Sequence, residues 1–107
     1  MIIAYIAHPI SGDIEANLAD LQRIVRRINL EHPDVVPFVP YYADIVSMDD
    51  NIPEERSRGI KNDTEIIRRG IPDEVWLTGE RISAGMAMEV LAAKQSGIAI
   101  IDKIGLL

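Results

Sequence analysis

Two carboxylates, Glu89 and Asp63, lie on mostly apolar faces of predicted helices and are the strongest candidates for chemistry in this chain. Glu89 ends the run 83–89, Ser-Ala-Gly-Met-Ala-Met-Glu, which is typical of a small-residue turn that opens a helix. Each acid belongs to a set of four residues at positions i, i+3, i+4 and i+7, which share one helical face. A carboxylate on a face that packs against the core needs a partner or a function. The neighbours are Met86, Val90 and Ala93 for Glu89, and Ile60, Thr64 and Ile67 for Asp63.

Paired carboxylates in different surroundings are the usual equipment for cleaving a glycosidic bond. One stays ionised and attacks the anomeric carbon, while the other acts as an acid or holds a hydroxyl or the leaving group. For Asp63, an ion pair with Arg58 or Lys61 at the surface is an equal alternative. For Glu89 the sequence favours chemistry, because no Lys or Arg lies one turn before it and Ala93 lies one turn after it.

Further candidates lie at the end of the first predicted strand. A phenol at Tyr5 can hydrogen-bond a nucleophilic carboxylate, and the alternative is a core tyrosine with a satisfied hydroxyl. The turn 8–12, His-Pro-Ile-Ser-Gly, follows this strand, and its backbone amides can cradle a phosphate or a sugar hydroxyl. Ser11 or Asp13 can instead cap the next helix. His8 could serve as an acid or a base, although no Ser or Cys partner completes a triad with it.

The start of the last predicted helix is a second place for an anion. Ser83 and Gly85 offer a hydroxyl and backbone amides there, and a plain N-cap at Ser83 is compatible with that role. Neither the dinucleotide-binding nor the Walker glycine pattern is present. Asp44, Asp49 and Asp50 lack the spacing of a calcium loop, so we predict no metal site. A double displacement by a carboxylate requires no cofactor.

Size and composition limit the classes of function. The 107 residues suit one domain, 1–107. The net charge of −6 argues against polymeric nucleic acid or an anionic membrane as a partner. Cysteine is absent, which excludes thiolate chemistry and disulfides. Because the sequence shows neither a signal peptide pattern nor an apolar run of membrane-spanning length, we expect a cytoplasmic protein.

Alternating strand and helix patterns predict an α/β fold with a parallel sheet between helix layers. Ligands in such folds bind at the carboxyl ends of the strands. The irregular, acidic segment 40–53 could act there as a mobile flap. The predicted elements are strands at 2–7, 35–39, 74–77 and 98–101, and helices at 13–31, 42–47, 53–69 and 84–96. The predicted core stripe of the first helix is Ile14, Leu18, Leu21, Val25 and Ile28.

Three motifs occur in an order that matches a known superfamily. They are 3–12, Ile-Ala-Tyr-Ile-Ala-His-Pro-Ile-Ser-Gly; 58–63, Arg-Gly-Ile-Lys-Asn-Asp; and 83–89, of the form Ser-x-Gly-x-x-x-Glu. With them the chain resembles the nucleoside 2-deoxyribosyltransferase superfamily, which includes the 2′-deoxynucleoside 5′-phosphate N-hydrolases and a compact bacterial and phage branch. The resemblance implies a flavodoxin-like three-layer sandwich with a four- or five-stranded parallel sheet. It also implies a homodimer or a larger homo-oligomer.

The resemblance implies an activity and residue roles. The activity would be that of an N-glycosidase or deoxyribosyltransferase acting on a (deoxy)nucleoside or its 5′-monophosphate; a non-catalytic nucleotide-binding module and an NAD glycohydrolase are the alternatives. Glu89 would be the nucleophile at C1′, Tyr5 would orient it, and Asp63 would contact the sugar or assist departure of the base. Ser83 and Gly85 would bind the 5′ end of the nucleotide. The implied substrate-binding residues are His8, Ile10, Ser11, Gly12, Ser83, Gly85 and Met86.

Overall fold

Strands and helices alternate along the chain, which a computed structural model describes over residues 1–107. The elements are β1 (Ile2–Ala7), α1 (Ile14–Glu31), β2 (Val35–Phe38), α2 (Tyr42–Ser47), α3 (Pro53–Arg68), β3 (Glu74–Leu77), α4 (Ala84–Ser96) and β4 (Ala99–Asp102). The four strands form one sheet in the order β2–β1–β3–β4, and all three pairings are parallel.

Helices cover both faces of this sheet. The chain moves from β1 to β2 through α1 and then crosses back past β1 to reach β3 and β4. Right-handed crossovers therefore put α1 on one face and α3 and α4 on the other. α1 packs against β2, and α3 packs along α4. The predicted α/β, flavodoxin-like three-layer sandwich is confirmed, with four strands. None of the helices has both the length and the apolar character needed to cross a membrane.

Short-range signals in the sequence set the helix ends. Asp13 caps α1, because its Oδ1 accepts a hydrogen bond of 3.2 Å from the Ala16 amide. Pro53 opens α3, where its missing N–H is not needed. Gly97 ends α4 with a φ of 70°, which a residue without Cβ adopts at little cost. The predicted bounds differ from the observed ones at a few ends: β2 stops at Phe38, α3 stops at Arg68, and β4 covers Ala99–Asp102.

The apolar core is one cluster of 16 buried residues. Its centre is β1, in which every residue from Ala4 to Ala7 is fully buried. The predicted stripe of α1 needs a correction at Ile24, which the prediction left out and which is 1% exposed. Val25, which the prediction included, packs only at the margin of the cluster. The helix is rotated slightly from the expected orientation, because steps of three and of four residues continue a 3.6-residue period equally well.

The carboxyl ends of β1 and β3 form the switch point of the sheet. β1 leads into α1 on one face, and its neighbour β3 leads into α4 on the other. The two connections diverge and leave a crevice between them, which is where open α/β sheets bind ligands. The turn after β1, the α2 region and the turn before α4 all border this crevice.

Candidate active site

The crevice at the switch point is an open cleft between the turn after β1, helices α2 and α3, and the start of α4. The space between its walls, including the open mouth, is about 710 Å³. About 90 Å³ of this space is accessible to the centres of water-sized molecules, so the floor of the cleft is narrow and a larger ligand would lie partly in the open mouth.

Glu89 lies in the floor of the cleft and is 7% exposed. Its Oε2 accepts a buried hydrogen bond from the hydroxyl of Tyr5, and no Lys, Arg or His forms an ion pair with it. Burial raises the pKa of Glu89 to about 7, although the Tyr5 hydroxyl acts in the opposite direction. At neutral pH the side chain is thus divided between its ionised and neutral forms.

Asp63 reaches the same cleft from α3 and is 8% exposed. Its Oδ1 is buried and has no hydrogen-bond partner. Burial, and then the charges of Glu89 and Asp44, raise the pKa of Asp63 to about 8, against the effect of the Tyr5 hydroxyl. The alternative of a surface ion pair with Arg58 or Lys61 was wrong, because the helical face of Asp63 packs inward.

Aromatic rings hold Tyr5 in place. Its ring packs edge-on against Phe38, with 6.4 Å between centroids, and at a tilt of 46° against Tyr41, with 5.8 Å between centroids. The hydroxyl of Tyr41 donates to the carbonyl of Ile6, which fixes this second ring. Burial, followed by the charges of Glu89 and Asp63, raises the pKa of both tyrosines, so their hydroxyls stay protonated and act as donors. The Tyr5 hydroxyl is therefore a preorganised donor to Glu89.

His8 borders the cleft, but both of its ring nitrogens are occupied. Nδ1 lies 2.7 Å from the carbonyl oxygen of Pro9, and Nε2 lies 2.9 Å from Oδ2 of Asp20. Arg23 in turn donates to Asp20 at 2.8 Å. Partial burial alone would raise the pKa of Asp20, but the hydrogen bonds from His8 and Arg23 lower it. With its nitrogens engaged by acceptors, His8 can offer a ligand the surface of its ring rather than a free nitrogen.

Two further residues of the turn after β1, Ile10 and Ser11, border the cleft, and Gly12 does not. The Ser11 hydroxyl donates to Oδ2 of Asp50 at 2.6 Å. Gly12 lies outside the cleft, in a turn with a φ of 100°, and no atom lies within 4 Å of the position that a Cβ would take there. The structure thus brings Ile10 and Ser11, but not Gly12, to the predicted substrate site.

The start of α4 contributes Ser83, Gly85 and Met86 to the cleft. Ser83 is the N-cap, since its Oγ accepts a hydrogen bond of 3.2 Å from the Met86 amide. Ser83 therefore caps the helix and lines the cleft at the same time, a combination that the sequence left open. No atom lies within 4 Å of the position that a Cβ on Gly85 would take, so the backbone of this turn is open on that side.

The opposite wall of the cleft was only partly predicted from the sequence, in which segment 40–53 was expected at this edge of the sheet as a flap. Apart from Asp63, no residue of this wall was predicted as a site residue, although the spacing of these residues carries a signal. The residues of this wall lie three, four and seven positions apart on two successive segments, so each set shares one helical face. Asp50 and Glu55 complete the wall. The two sets are Tyr41, Asp44, Ile45 and Met48 around α2, and Arg56, Gly59, Ile60 and Asp63 on α3.

The cleft can support acid–base and nucleophilic chemistry, because burial raises the pKa of both inner carboxyl groups toward neutrality, to about 7 for Glu89 and about 8 for Asp63. No three or more of the His, Asp and Glu side chains are grouped so as to hold a metal ion.

Comparison with known proteins gives one family match. A family model described as a domain of unknown function, DUF7768, matches residues 2–103, which is nearly the whole chain and contains every residue of the cleft. No match was found among curated proteins. On the strength of this match over its full fold, the chain belongs to the DUF7768 family.

Proposed function

We propose that this protein cleaves the N-glycosidic bond of a (deoxy)nucleoside or its 5′-monophosphate. Glu89 is the nucleophile, and water or a second base is the acceptor. The observation that carries the proposal is a pair of buried carboxylates, Glu89 and Asp63, in one open cleft, with the Tyr5 hydroxyl bound to Glu89. Glycosidases use such pairs because one acid must attack while the other handles a proton.

In the first step the free Oε1 of Glu89 attacks C1′ of the sugar, while Oε2 keeps its hydrogen bond from Tyr5. The C1′–N bond breaks, and its electron pair leaves with the base. A proton from the neutral carboxyl of Asp63, or from water, neutralises the departing base. The sugar is then held as an ester on Glu89.

In the second step the acceptor adds to C1′. The ester C–O bond breaks, its electron pair returns to Glu89, and the proton lost by the acceptor passes to Asp63 or to solvent. Water as acceptor gives hydrolysis to the free sugar, and a second base gives transfer. Two displacements at C1′ retain the configuration of the sugar.

The charge states of the two acids support this division of roles. The pKa of Glu89, about 7, leaves a substantial ionised fraction at neutral pH, as a nucleophile requires. The pKa of Asp63, about 8, keeps its proton available at the same pH. Effective acids and bases have pKa values near the working pH. The Tyr5 hydroxyl donates its hydrogen bond to an oxygen of Glu89, which favours Glu89 over Asp63 as the nucleophile.

We also propose that the enzyme is cytoplasmic and forms a homodimer or a larger homo-oligomer. Nucleosides are metabolites of the cytoplasm. The outer face of α4 carries a stripe of exposed apolar residues, with Met88 45% and Leu91 48% exposed next to Ala84 and Ala87. A second copy would cover such a stripe, and sedimentation of the purified protein measures whether it does.

The direct test is release of free base. The purified protein is incubated with a panel of deoxynucleosides, ribonucleosides, their 5′-monophosphates and NAD, and base is followed by chromatography. We expect release from at least one nucleoside or nucleotide. Absence of free base from the whole panel, in the presence and absence of an acceptor base, would reject the catalytic proposal and leave a binding module.

Variants identify the residues responsible. Glu89→Gln should lower kcat by about 1,000-fold or more, as loss of a covalent nucleophile does. Tyr5→Phe should lower it by about 10- to 100-fold, the range for one hydrogen bond to a charged group. Glu54→Gln is the matched control, because Glu54 is an exposed acid of α3 outside the cleft and should leave the rate unchanged. Full turnover by Glu89→Gln would rule out this nucleophile.

A further inference from the structure

The wall of the cleft formed by α2, α3 and the loop between them is rich in hydrogen-bond acceptors. It carries the carboxylates of Asp44, Asp50 and Glu55, and none of them is in a salt bridge. An ionised carboxylate offers about four acceptor positions, so the few hydrogen bonds that these acids accept leave most of them free. The only Lys or Arg on the cleft wall is Arg56. This wall therefore suits a ligand that donates hydrogen bonds.

Asp44 lies beside Asp63 in this wall. Helix α2 comes close to α3 at Gly59, where an added Cβ would lie 3.8 Å from Cβ and 4.0 Å from Oδ2 of Asp44. Gly59 is one turn before Asp63 on the same face of α3. The only hydrogen bonds to the carboxylate of Asp44 are two long ones from the amide of Asn62, of 3.4 and 3.5 Å. The carboxylate of Asp44 is thus weakly engaged and next to the acid of the proposed reaction.

The buried Oδ1 of Asp63 independently indicates that this corner is built for a ligand. It has no hydrogen-bond partner, although Asp63 lines the cleft and is only 8% exposed. Buried polar atoms are nearly always satisfied, so an unpartnered one in a cleft wall points to a partner that the ligand supplies. Burial and the charge of Asp44 both keep Asp63 in its neutral form, in which it donates a hydrogen bond.

We propose that Asp44 and Asp63 form the base subsite and select bases in which an exocyclic amino group shares an edge with an accepting ring nitrogen, as in adenine and cytosine. The inference rests on the function proposed above. Asp63 donates its proton to the ring nitrogen, and Asp44 accepts a hydrogen bond from the amino group. Adenine offers N7 and the N6 amino group, and cytosine offers N3 and the N4 amino group. Hypoxanthine and uracil carry a carbonyl oxygen instead of the amino group and would leave Asp44 without a donor.

The same contact assists the reaction. A proton donated to a ring nitrogen of adenine or cytosine withdraws electrons from the glycosidic bond and stabilises the base as it leaves. Asp63 therefore recognises the base and supplies its proton from one position, while Asp44 fixes the orientation of the ring. This accounts for the presence of two acids side by side in the wall of the cleft.

The test compares substrates that differ only in this group. We expect kcat/KM for 2′-deoxyadenosine to be at least about tenfold higher than for 2′-deoxyinosine. The same ratio is expected for 2′-deoxycytidine over 2′-deoxyuridine, because a tenfold difference is the scale of one hydrogen bond to a charged group. Equal rates within both pairs, or faster cleavage of the carbonyl-bearing members, would overturn the proposal.

A variant then assigns the preference to Asp44. In Asp44→Asn the amide can turn its NH₂ toward a carbonyl oxygen, so both ratios should fall toward one or reverse. Glu54→Gln removes a carboxylate from the first turn of α3 outside the cleft and should keep both ratios. If the ratios persist in Asp44→Asn, Asp44 does not read the base.

Equilibrium binding separates this inference from the catalytic proposal. Free adenine and hypoxanthine, and free cytosine and uracil, are titrated into the unmodified protein by calorimetry. Tighter binding of adenine and cytosine supports the subsite even when no nucleoside is cleaved, and then only the catalytic proposal fails. If none of the four bases binds and no nucleoside is cleaved, the subsite is rejected as well.

Discussion

Replacing Glu89 with glutamine is expected to stabilise the folded protein at alkaline pH and to leave its stability nearly unchanged in acid. Folding raises the pKa of this carboxyl from 4.5 to about 7, chiefly through burial. The folded state therefore binds its proton more tightly than the unfolded state does. Between these two pH values the free energy of unfolding falls as pH rises, because the folded protein must hold a charge that the unfolded chain exposes to water.

The size of the effect follows from the shift. Each pKa unit corresponds to about 1.4 kcal/mol, so ionisation of Glu89 lowers the free energy of unfolding by about 3 kcal/mol once the pH exceeds 7. Glutamine cannot ionise, and its side-chain oxygen can still accept the hydrogen bond from Tyr5. Loss of the Glu89 charge also lowers the pKa of Asp63, which that charge raises. Both consequences favour the variant above pH 7.

The assay is urea unfolding at several pH values from about 5 to 8.5. Trp76 is the only tryptophan and is buried, so its fluorescence reports the transition. The advantage of Glu89→Gln should grow by about 2–3 kcal/mol across this range. Glu54→Gln, at an exposed position on α3, should show no such growth. An advantage that is absent at pH 8.5, or equal at both ends of the range, would refute the argument that Glu89 is a destabilising buried acid.

The Tyr5 hydrogen bond and the tight turn at Gly79 give two further predictions. Tyr5→Phe removes a hydrogen bond that lowers the pKa of Glu89, so the acidic limb of the pH–rate profile should move to higher pH; an unmoved limb would mean that Glu89 does not control it. Gly79→Ala should cost about 2 kcal/mol or more in urea unfolding, because its φ is 85° and an added Cβ would lie 2.8 Å from Cδ of Pro9. Gly70 has a similar φ of 68°, but no neighbouring atom lies within 4 Å of the position of an added Cβ. The stability that Gly79→Ala loses beyond the loss in Gly70→Ala therefore measures the clash alone.

The layout of the fold is predictable because its signals are local. The doubly apolar β1, the Asp13 cap, the proline at the start of α3 and Gly97 at the end of α4 each act within a few residues. The exception is the orientation of α1. Its stripe allows either Ile24 or Val25 to face inward, and only contact with the sheet favours Ile24.

The candidate site is predictable only where one helix carries its own signal. Glu89 and Asp63 stand out because an acid interrupts an apolar face. His8 is different, because its partner Asp20 lies twelve residues further along the chain, and only the packing of α1 beside the β1 turn brings the two together. Asp44 shares a helical face with Tyr41, Ile45 and Met48, but that helix is short and lies in an acidic segment, so a solvated flap explains this aspartate equally well.

The acids of the cleft are unfavourable for folding, so their presence in the sequence needs an explanation. Asp44 and Glu89 both act to raise the pKa of Asp63, and no guanidinium or ammonium group compensates either one by an ion pair. An arrangement chosen for stability alone would replace the buried acids Glu89 and Asp63 with apolar residues, or pair them. The folded protein instead keeps these acids together in the cleft, with the Oδ1 of Asp63 unpartnered. We expect a ligand that donates hydrogen bonds to supply the partners that these acids lack. The burial that makes Glu89→Gln stabilising is thus the cost of a cleft that we expect to favour donors.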